Sequence, residues 1–175
     1  MKENDLKIEM NWDRDAILEN EDPTRHLLVE ISAPDGERSE KTEPLNLALA
    51  IDTSGSMAHG RLDAAKRAAI EVIRTLTDRD HLSLVHFGSH VNVVLKGVPM
   101  DRSGKDAAVS AIWSMETAGM TNLSGGWYEA GRCVAEVMDR QDATNGRILI
   151  LSDGMANEGI CDSEELTMHA QKLAE

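Results

Sequence analysis

Apolar residues are distributed along this chain in two different patterns, and the change from one pattern to the other predicts its elements. Short continuous apolar runs at Leu45–Ile51 and Arg147–Leu151 are typical of strands buried in a parallel sheet. Between them, residues from Arg61 to Leu76 place apolar side chains three and four positions apart, which predicts an amphipathic helix. The order strand, helix, strand predicts an α/β fold, in which Arg147–Leu151 is expected to be the most clearly buried strand.

One connection in this pattern is too short to join two parallel strands. The apolar strand His81–Phe87 is separated from the next strand, Val91–Leu95, only by Gly88–His90. A parallel partner needs a crossover of about a dozen or more residues, so this turn predicts an antiparallel pair. We therefore expect Val91–Leu95 at the edge of the sheet.

The remaining segments complete the predicted organisation. Helices are predicted at Asp101–Met115, from Leu123 onward after a polar loop, and from Ser163 onward. Two short stretches before the strand–helix alternation, Leu6–Trp12 and His26–Ile31, predict β-strands. The sequence therefore predicts a β-strand appendage over residues 1–43 and a main domain over residues 44–175.

Composition and charge narrow the classes of function. With 3% aromatic residues, the core of this 175-residue chain is expected to be mostly aliphatic. The net charge of −13 argues against nucleic acid or an anionic membrane as partner, because both require a basic surface. No apolar run approaches the roughly 20 residues that span a bilayer, and residues 1–5 lead into no secretory signal. We therefore predict a cytoplasmic protein without membrane insertion.

Short oxygen-bearing side chains lie in three loops next to strand–helix boundaries. The first loop carries Asp52, Ser54 and Ser56, the second carries Thr121 and the third carries Asp153. Because parallel strands end on the same side of a sheet, the first and third loops are expected at one rim, which the second can reach. Carboxylate and hydroxyl oxygens are hard ligands, suited to Mg²⁺ or Mn²⁺, with Ca²⁺ as a further candidate.

The number of candidate ligands suggests what this site binds besides a metal. Mg²⁺ takes about six oxygen ligands, so five side chains leave one position for a group from outside. Since only two of the five are charged, the ion is expected to stay electrophilic. An incoming carboxylate is the natural sixth ligand.

These residues resemble the metal-ion-dependent adhesion site of von Willebrand factor type A domains. The resemblance rests on Asp52-Thr53-Ser54-Gly55-Ser56, Thr121 and Asp153-Gly154 in this order, and it covers about residues 44 to 175. It implies a Rossmann-like, doubly wound, mostly parallel sheet with one antiparallel edge strand. It also implies a protein-binding module, not an enzyme, in which an Asp or Glu of a partner protein completes the metal shell.

The resemblance also implies a role for each site residue. Ser54, Ser56 and Thr121 would bind the metal directly, while Asp52 and Asp153 would act mainly through water.

Two departures from the family pattern stand out. A complete domain of this family continues with two further strands and a closing helix, so we expect this chain to be truncated. One sheet edge is then expected to be open or filled by another chain, which includes self-association. In addition, Met120 stands where the family has Gly or Ser.

Several alternatives remain open at this point. The polar loops could simply cap helices, since Ser, Thr and Asp favour N-cap positions. Residues 55–61 have the glycine spacing of a nucleotide-binding phosphate loop but carry Arg61 and Leu62 in place of the Lys and the Ser or Thr. The domain could also be an accessory module of a chelatase- or ATPase-type complex.

The N-terminal strands are similar to those of bacterial and heavy-chain-like relatives, in which this domain is embedded in a β-rich neighbour.

Each of the three loops also carries a methionine. We expect Met57, Met120 and Met155 to form an adaptable apolar rim around the ion, against which a partner packs. The alternative is that they plug the end of the sheet.

Overall fold

Two short antiparallel strands, β1 (Lys7–Trp12) and β2 (Leu27–Ser32), form the first of two compact units. The computed structural model describes residues 7–12, 26–32, 43–141 and 145–174, and the two units divide between residues 42 and 43. The predicted N-terminal strands are therefore present, whereas residues 1–6, 13–25 and 33–42 of the predicted appendage lie outside the described residues.

The second unit is an α/β fold built on a four-stranded, mostly parallel sheet with the order β5-β4-β3-β6. Its elements, in chain order, are β3 (Asn46–Asp52), α1 (Arg61–Thr75), β4 (His81–Phe87), β5 (Val91–Pro99), α2 (Arg102–Trp113), α3 (Leu123–Gln141), β6 (Gly146–Leu151) and α4 (Ser163–Ala174). β3 runs parallel to β4 and to β6, and β5 runs antiparallel to β4 at one edge. The predicted fold class and the antiparallel edge strand are both confirmed.

Side-chain alternation along β3 divides the core into two layers. Leu47, Leu49 and Ile51 pack in one cluster with buried residues of α1 and α2. Ala48 and Ala50 point to the opposite face, where they pack with buried residues of α3. The small alanine side chains leave room for α3 to lie close to the sheet, and β3 is buried along its whole length.

The prediction that Arg147–Leu151 is the most clearly buried strand is wrong. β6 is only half-buried for most of its length, while β3 is fully buried. The reason is position in the sheet, because β6 hydrogen-bonds to β3 and to no other strand within the described ranges.

Within these same ranges, no helix is long and apolar enough to cross a membrane.

The contact between α3 and β4 places the loop that precedes α3 at the rim of the sheet. Gly126, in the first turns of α3, is buried, and a Cβ atom built on it would overlap the ring of Phe87. Backbone hydrogen bonds continue this contact, since the Asn122 N–H donates to the Gly88 carbonyl at 3.1 Å. A glycine is required at position 126 because of space, not because of backbone conformation.

We predict that Gly126→Ala destabilises the protein. In an uncrowded helix this change would stabilise by up to about 1 kcal/mol, but here overpacking should lower the free energy of unfolding by about 1–3 kcal/mol. Chemical denaturation measures the difference. Phe87→Leu should relieve part of the overlap, so the double variant should lose less stability than the two single variants together. Stability of Gly126→Ala equal to or above wild type would contradict this packing.

Candidate metal site

The buried carboxylate of Asp52, at the carboxyl end of β3, joins two of the three loops. Its Oδ1 accepts a hydrogen bond from the Ser54 N–H at 2.8 Å, and its Oδ2 accepts one from the Ser152 hydroxyl at 2.7 Å. The two hydrogen-bond donors are neutral, so they compensate only part of the free-energy cost of burying a charged carboxylate. A buried carboxylate of this kind is therefore stabilised by a cation nearby.

The two serines of the first loop lie next to each other. A short 3₁₀ helix at Gly55–Met57 turns the chain so that the hydroxyl oxygens of Ser54 and Ser56 are 3.0 Å apart. Ser54 is buried and Ser56 is half-buried. This pair presents two neutral oxygen ligands side by side.

Thr121 is 1% exposed, and its hydroxyl has no hydrogen-bond partner within the part of the chain that the structure describes. Leaving a buried hydroxyl unpaired is costly, so this oxygen favours binding of a group that the described residues do not supply. Its backbone is held firmly, because the Thr121 N–H donates to Asn157 Oδ1 at 2.7 Å. The N–H groups of Asn157 and Glu158 both donate to the Thr121 carbonyl at 3.2 Å.

Direct backbone contacts bring the first two loops together. The Gly55 N–H donates to the Gly119 carbonyl at 3.0 Å, and the Ala118 N–H donates to the Thr53 carbonyl at 2.7 Å. Gly119 has a φ of 77°, which favours glycine, and a Cβ atom there would overlap the Ser89 side chain. The loop of Thr121 therefore lies against the loop of Ser54 and Ser56.

Asp153, the last of the predicted ligands, is half-buried and pairs with a cation of the chain itself. The distance from Arg61 Nη1 to Asp153 Oδ2 is 3.4 Å, and the same nitrogen donates to the Ser56 carbonyl at 2.7 Å. The structure thus places all five predicted residues in three loops that hydrogen-bond to one another.

The donors at this rim fit a hard divalent cation. They are hydroxyl and carboxylate oxygens, which are hard ligands. Within the described ranges no group of three or more His, Cys, Asp or Glu side chains could hold a metal ion, so hydroxyl oxygens would have to supply most of the ligands here. Burial lowers the pKa of the His86 imidazole, whose Nδ1 is 3.4 Å from Thr53 Oγ1, and so disfavours a positive charge on this ring. Mg²⁺ or Mn²⁺ suits these ligands best.

Helix capping does not explain the positions of the Ser54 and Thr121 hydroxyl groups. The Ser54 side chain makes no capping hydrogen bond to the 3₁₀ helix that follows it, and the N-cap of α1 is Gly60. At the start of α3 the acceptor is Asn122, whose Oδ1 receives the Gly125 N–H at 2.8 Å. The hydroxyls of Ser54 and Thr121 are therefore not used as caps.

The first loop is also poorly suited to bind phosphate. Phosphate loops offer free backbone N–H groups. Here the N–H groups of Gly55, Met57 and Ala58 donate to the carbonyls of Gly119, Ser54 and Gly55.

The predicted methionine rim needs one correction. Met57 is 3% exposed and packs in the core with α1 and α2, because the 3₁₀ turn directs it inward. Met120 and Met155 are 49% and 65% exposed, so both can contact a partner. Met57 is therefore a core residue and not part of an exposed rim.

The sequence patterns did not identify three polar residues that organise the site. Ser152 donates to Asp52, Asn157 accepts from Thr121, and Arg61 bridges Ser56 and Asp153. Arg61 stands out in the sequence only because it breaks the phosphate-loop pattern. No sequence pattern points to Asn157, because a hydrogen bond between two distant loops leaves no trace in the periodicity of apolar residues.

Comparison with known proteins gives a family model, relatives and solved structures to which this chain is similar. A family model described as the von Willebrand factor type A domain matches residues 47–156. Inter-alpha-trypsin inhibitor heavy chain H3 of Homo sapiens is 26% identical over 130 residues, which cover 70% of this chain and 14% of that protein. The uncharacterized protein YfbK of Escherichia coli (strain K12) is 32% identical over 157 residues, or 85% of this chain and 25% of that protein. The chain thus spans a minor part of the length of these relatives.

Solved structures support the fold. A von Willebrand factor type A protein from Catenulispora acidiphila superimposes with a TM-score of 0.54 at 20% identity, over 83% of this chain and 32% of that one. The PilB minor pilin from Streptococcus sanguinis gives a TM-score of 0.57 at 17% identity, over 92% of this chain and 50% of that one. At these identities the likeness concerns the fold alone.

We predict that Asn157 holds Thr121 in place through its side-chain oxygen. Asn157→Leu should lower the free energy of unfolding by about 1–3 kcal/mol, because it leaves the Thr121 N–H without an acceptor. It should also accelerate hydrogen exchange of the Thr121 amide, whereas Asn157→Asp keeps an acceptor and should preserve most of the protection. Amide exchange measured by NMR on both variants tests this, and equal exchange rates in the two would contradict it.

Proposed function

Because this chain belongs to the von Willebrand factor type A domain family, a family of protein-interaction modules, we propose that it binds a partner protein through a divalent cation. The cation is Mg²⁺ or Mn²⁺, held by Asp52, Ser54, Ser56, Thr121 and Asp153. The partner contributes the carboxylate of an Asp or Glu. The domain acts as a binding module and not as an enzyme.

The observation that carries this proposal is the Thr121 hydroxyl. It is buried, it has no hydrogen-bond partner among the described residues, and its loop is hydrogen-bonded to the loop of the Ser54 and Ser56 hydroxyls. A cation beside these oxygens would satisfy all three hydroxyls at once.

The residues of the site divide into two roles. Ser54, Ser56 and Thr121 provide neutral oxygens that would contact the metal directly, and Asp52 and Asp153 provide the compensating negative charge, mainly through water. When bound, the cation supplies positive charge and an open coordination position for a carboxylate oxygen. Because only two charged side chains serve it, this ion keeps most of its attraction for an anionic ligand.

The surroundings of the site support a macromolecular partner. Met120 and Met155, exposed on the second and third loops, offer adaptable apolar contact area beside the metal ligands. A protein surface with an acidic side chain amid apolar residues would match both features.

We predict that Mg²⁺ stabilises the protein through this site. A ligand at about one hundred times its Kd should stabilise by about 2.7 kcal/mol, so saturating Mg²⁺ should raise the Tm and EDTA should reverse the rise. Asp52→Ala should abolish the response. Asp63→Ala, which removes an exposed acidic side chain in the first turn of α1, is the matched control and should respond as wild type does. A Tm indifferent to Mg²⁺ in wild type would contradict the proposal.

The carboxylate requirement needs its own measurement. Proteins retained by the immobilised domain in Mg²⁺ should be released by EDTA and should not bind the Asp52→Ala domain. Capping their acidic side chains with carbodiimide and glycinamide before loading should abolish retention. Retention that survives EDTA or capping would contradict the proposed mode of binding.

A further inference from the structure

Arg61 lies at the rim of the candidate metal site although it is not one of its proposed metal ligands. It is the first residue of α1, and its Nη1 donates to the Ser56 carbonyl at 2.7 Å. The same nitrogen is 3.4 Å from Asp153 Oδ2. One guanidinium group therefore touches the first and the third loop at once.

Most of this guanidinium remains available for another contact. The Arg61 side chain is 61% exposed, and its Nε and Nη2 atoms hydrogen-bond to no other residue in the part of the chain that the structure describes. A guanidinium presents several N–H groups in one plane, a geometry that matches the two oxygens of a carboxylate. A carboxylate that directs one oxygen to the metal position could accept a hydrogen bond from Arg61 on the other.

Charge at the rim favours the same kind of ligand. With a divalent cation bound, the two carboxylates of Asp52 and Asp153 formally balance the charge of the ion. The guanidinium of Arg61 then gives the site one net positive charge. The chain as a whole carries a net charge of −13, which repels acidic partners at a distance. An acidic side chain is therefore attracted only at short range, where Arg61 and the cation act together.

We propose that Arg61 is a specificity-determining residue of this site, whose guanidinium donates to the carboxylate that approaches the metal position. This role of Arg61 rests on the proposed function, because the group that Arg61 would select is the carboxylate that completes the metal shell. In the absence of the ligand, Arg61 partly neutralises Asp153. Its removal should therefore change metal affinity and carboxylate affinity in opposite directions.

The opposite signs follow from electrostatics. Removing a positive charge beside Asp153 should strengthen cation binding, by at most roughly fivefold for an exposed pair of this kind. Removing a donor to the bound carboxylate should weaken that ligand by a similar or larger factor. A residue that only held the two loops together would weaken both.

The experiment uses Mn²⁺ alone and then acetate as probes. Mn²⁺ affinity is measured by electron paramagnetic resonance of the free ion, and acetate affinity of the Mn²⁺-loaded protein is measured by water-proton relaxation. Acetamide, which has similar shape but no charge, is the ligand control. The variants are Arg61→Gln and Arg61→Lys, and Arg67→Gln is the matched control because it removes the same charge from an exposed position on α1.

We expect Arg61→Gln to bind Mn²⁺ about two- to fivefold more tightly and acetate about fivefold more weakly than wild type. Arg61→Lys should keep wild-type Mn²⁺ affinity with intermediate acetate affinity, and Arg67→Gln should match wild type in both.

If wild type binds Mn²⁺ and acetate but Arg61→Gln equals Arg67→Gln, the role of Arg61 is overturned. Weakening of both affinities in Arg61→Gln would overturn it as well. If wild type binds no Mn²⁺, the proposed function itself fails.

Discussion

The burial of the Asp52 carboxylate at the end of β3 is the constraint on which this site depends. β3 is buried from end to end, so a charge on its last residue must be compensated locally. The Ser54 N–H and the Ser152 hydroxyl do part of this, and both belong to loops that carry candidate ligands. The need to compensate one carboxylate therefore draws the first and third loops together.

The second loop joins them through packing. The alanines on one face of β3 and the glycine at position 126 allow α3 to lie close against the sheet, and the loop before α3 then meets Gly55 and Gly88 through backbone hydrogen bonds. Thr121 is brought to the rim with its backbone satisfied and its hydroxyl unpaired. Core packing and site geometry are thus consequences of the same contact.

Local patterns predicted most of the fold and the candidate ligands. The hairpin at Gly88 and the strand–helix alternation follow from turn length and hydrophobic period, which are local properties of the chain. The burial of β6 was not predictable in this way, because it depends on how many strands flank it. The direction of Met57 depends on a 3₁₀ turn, and the roles of Arg61 and Asn157 depend on contacts between distant loops. The cytoplasmic location and self-association through a sheet edge remain predictions.

Calorimetric titration with Mg²⁺ and Mn²⁺ of wild type, Thr121→Val and Thr121→Ser tests the central claim most directly. Valine keeps the shape of threonine without its hydroxyl, and serine keeps the hydroxyl. We expect wild type to bind one ion, Thr121→Val to bind at least about tenfold more weakly, a loss of about 1.4 kcal/mol, and Thr121→Ser to retain most of the affinity. Absence of binding to wild type, or equal binding by wild type and Thr121→Val, would contradict the account.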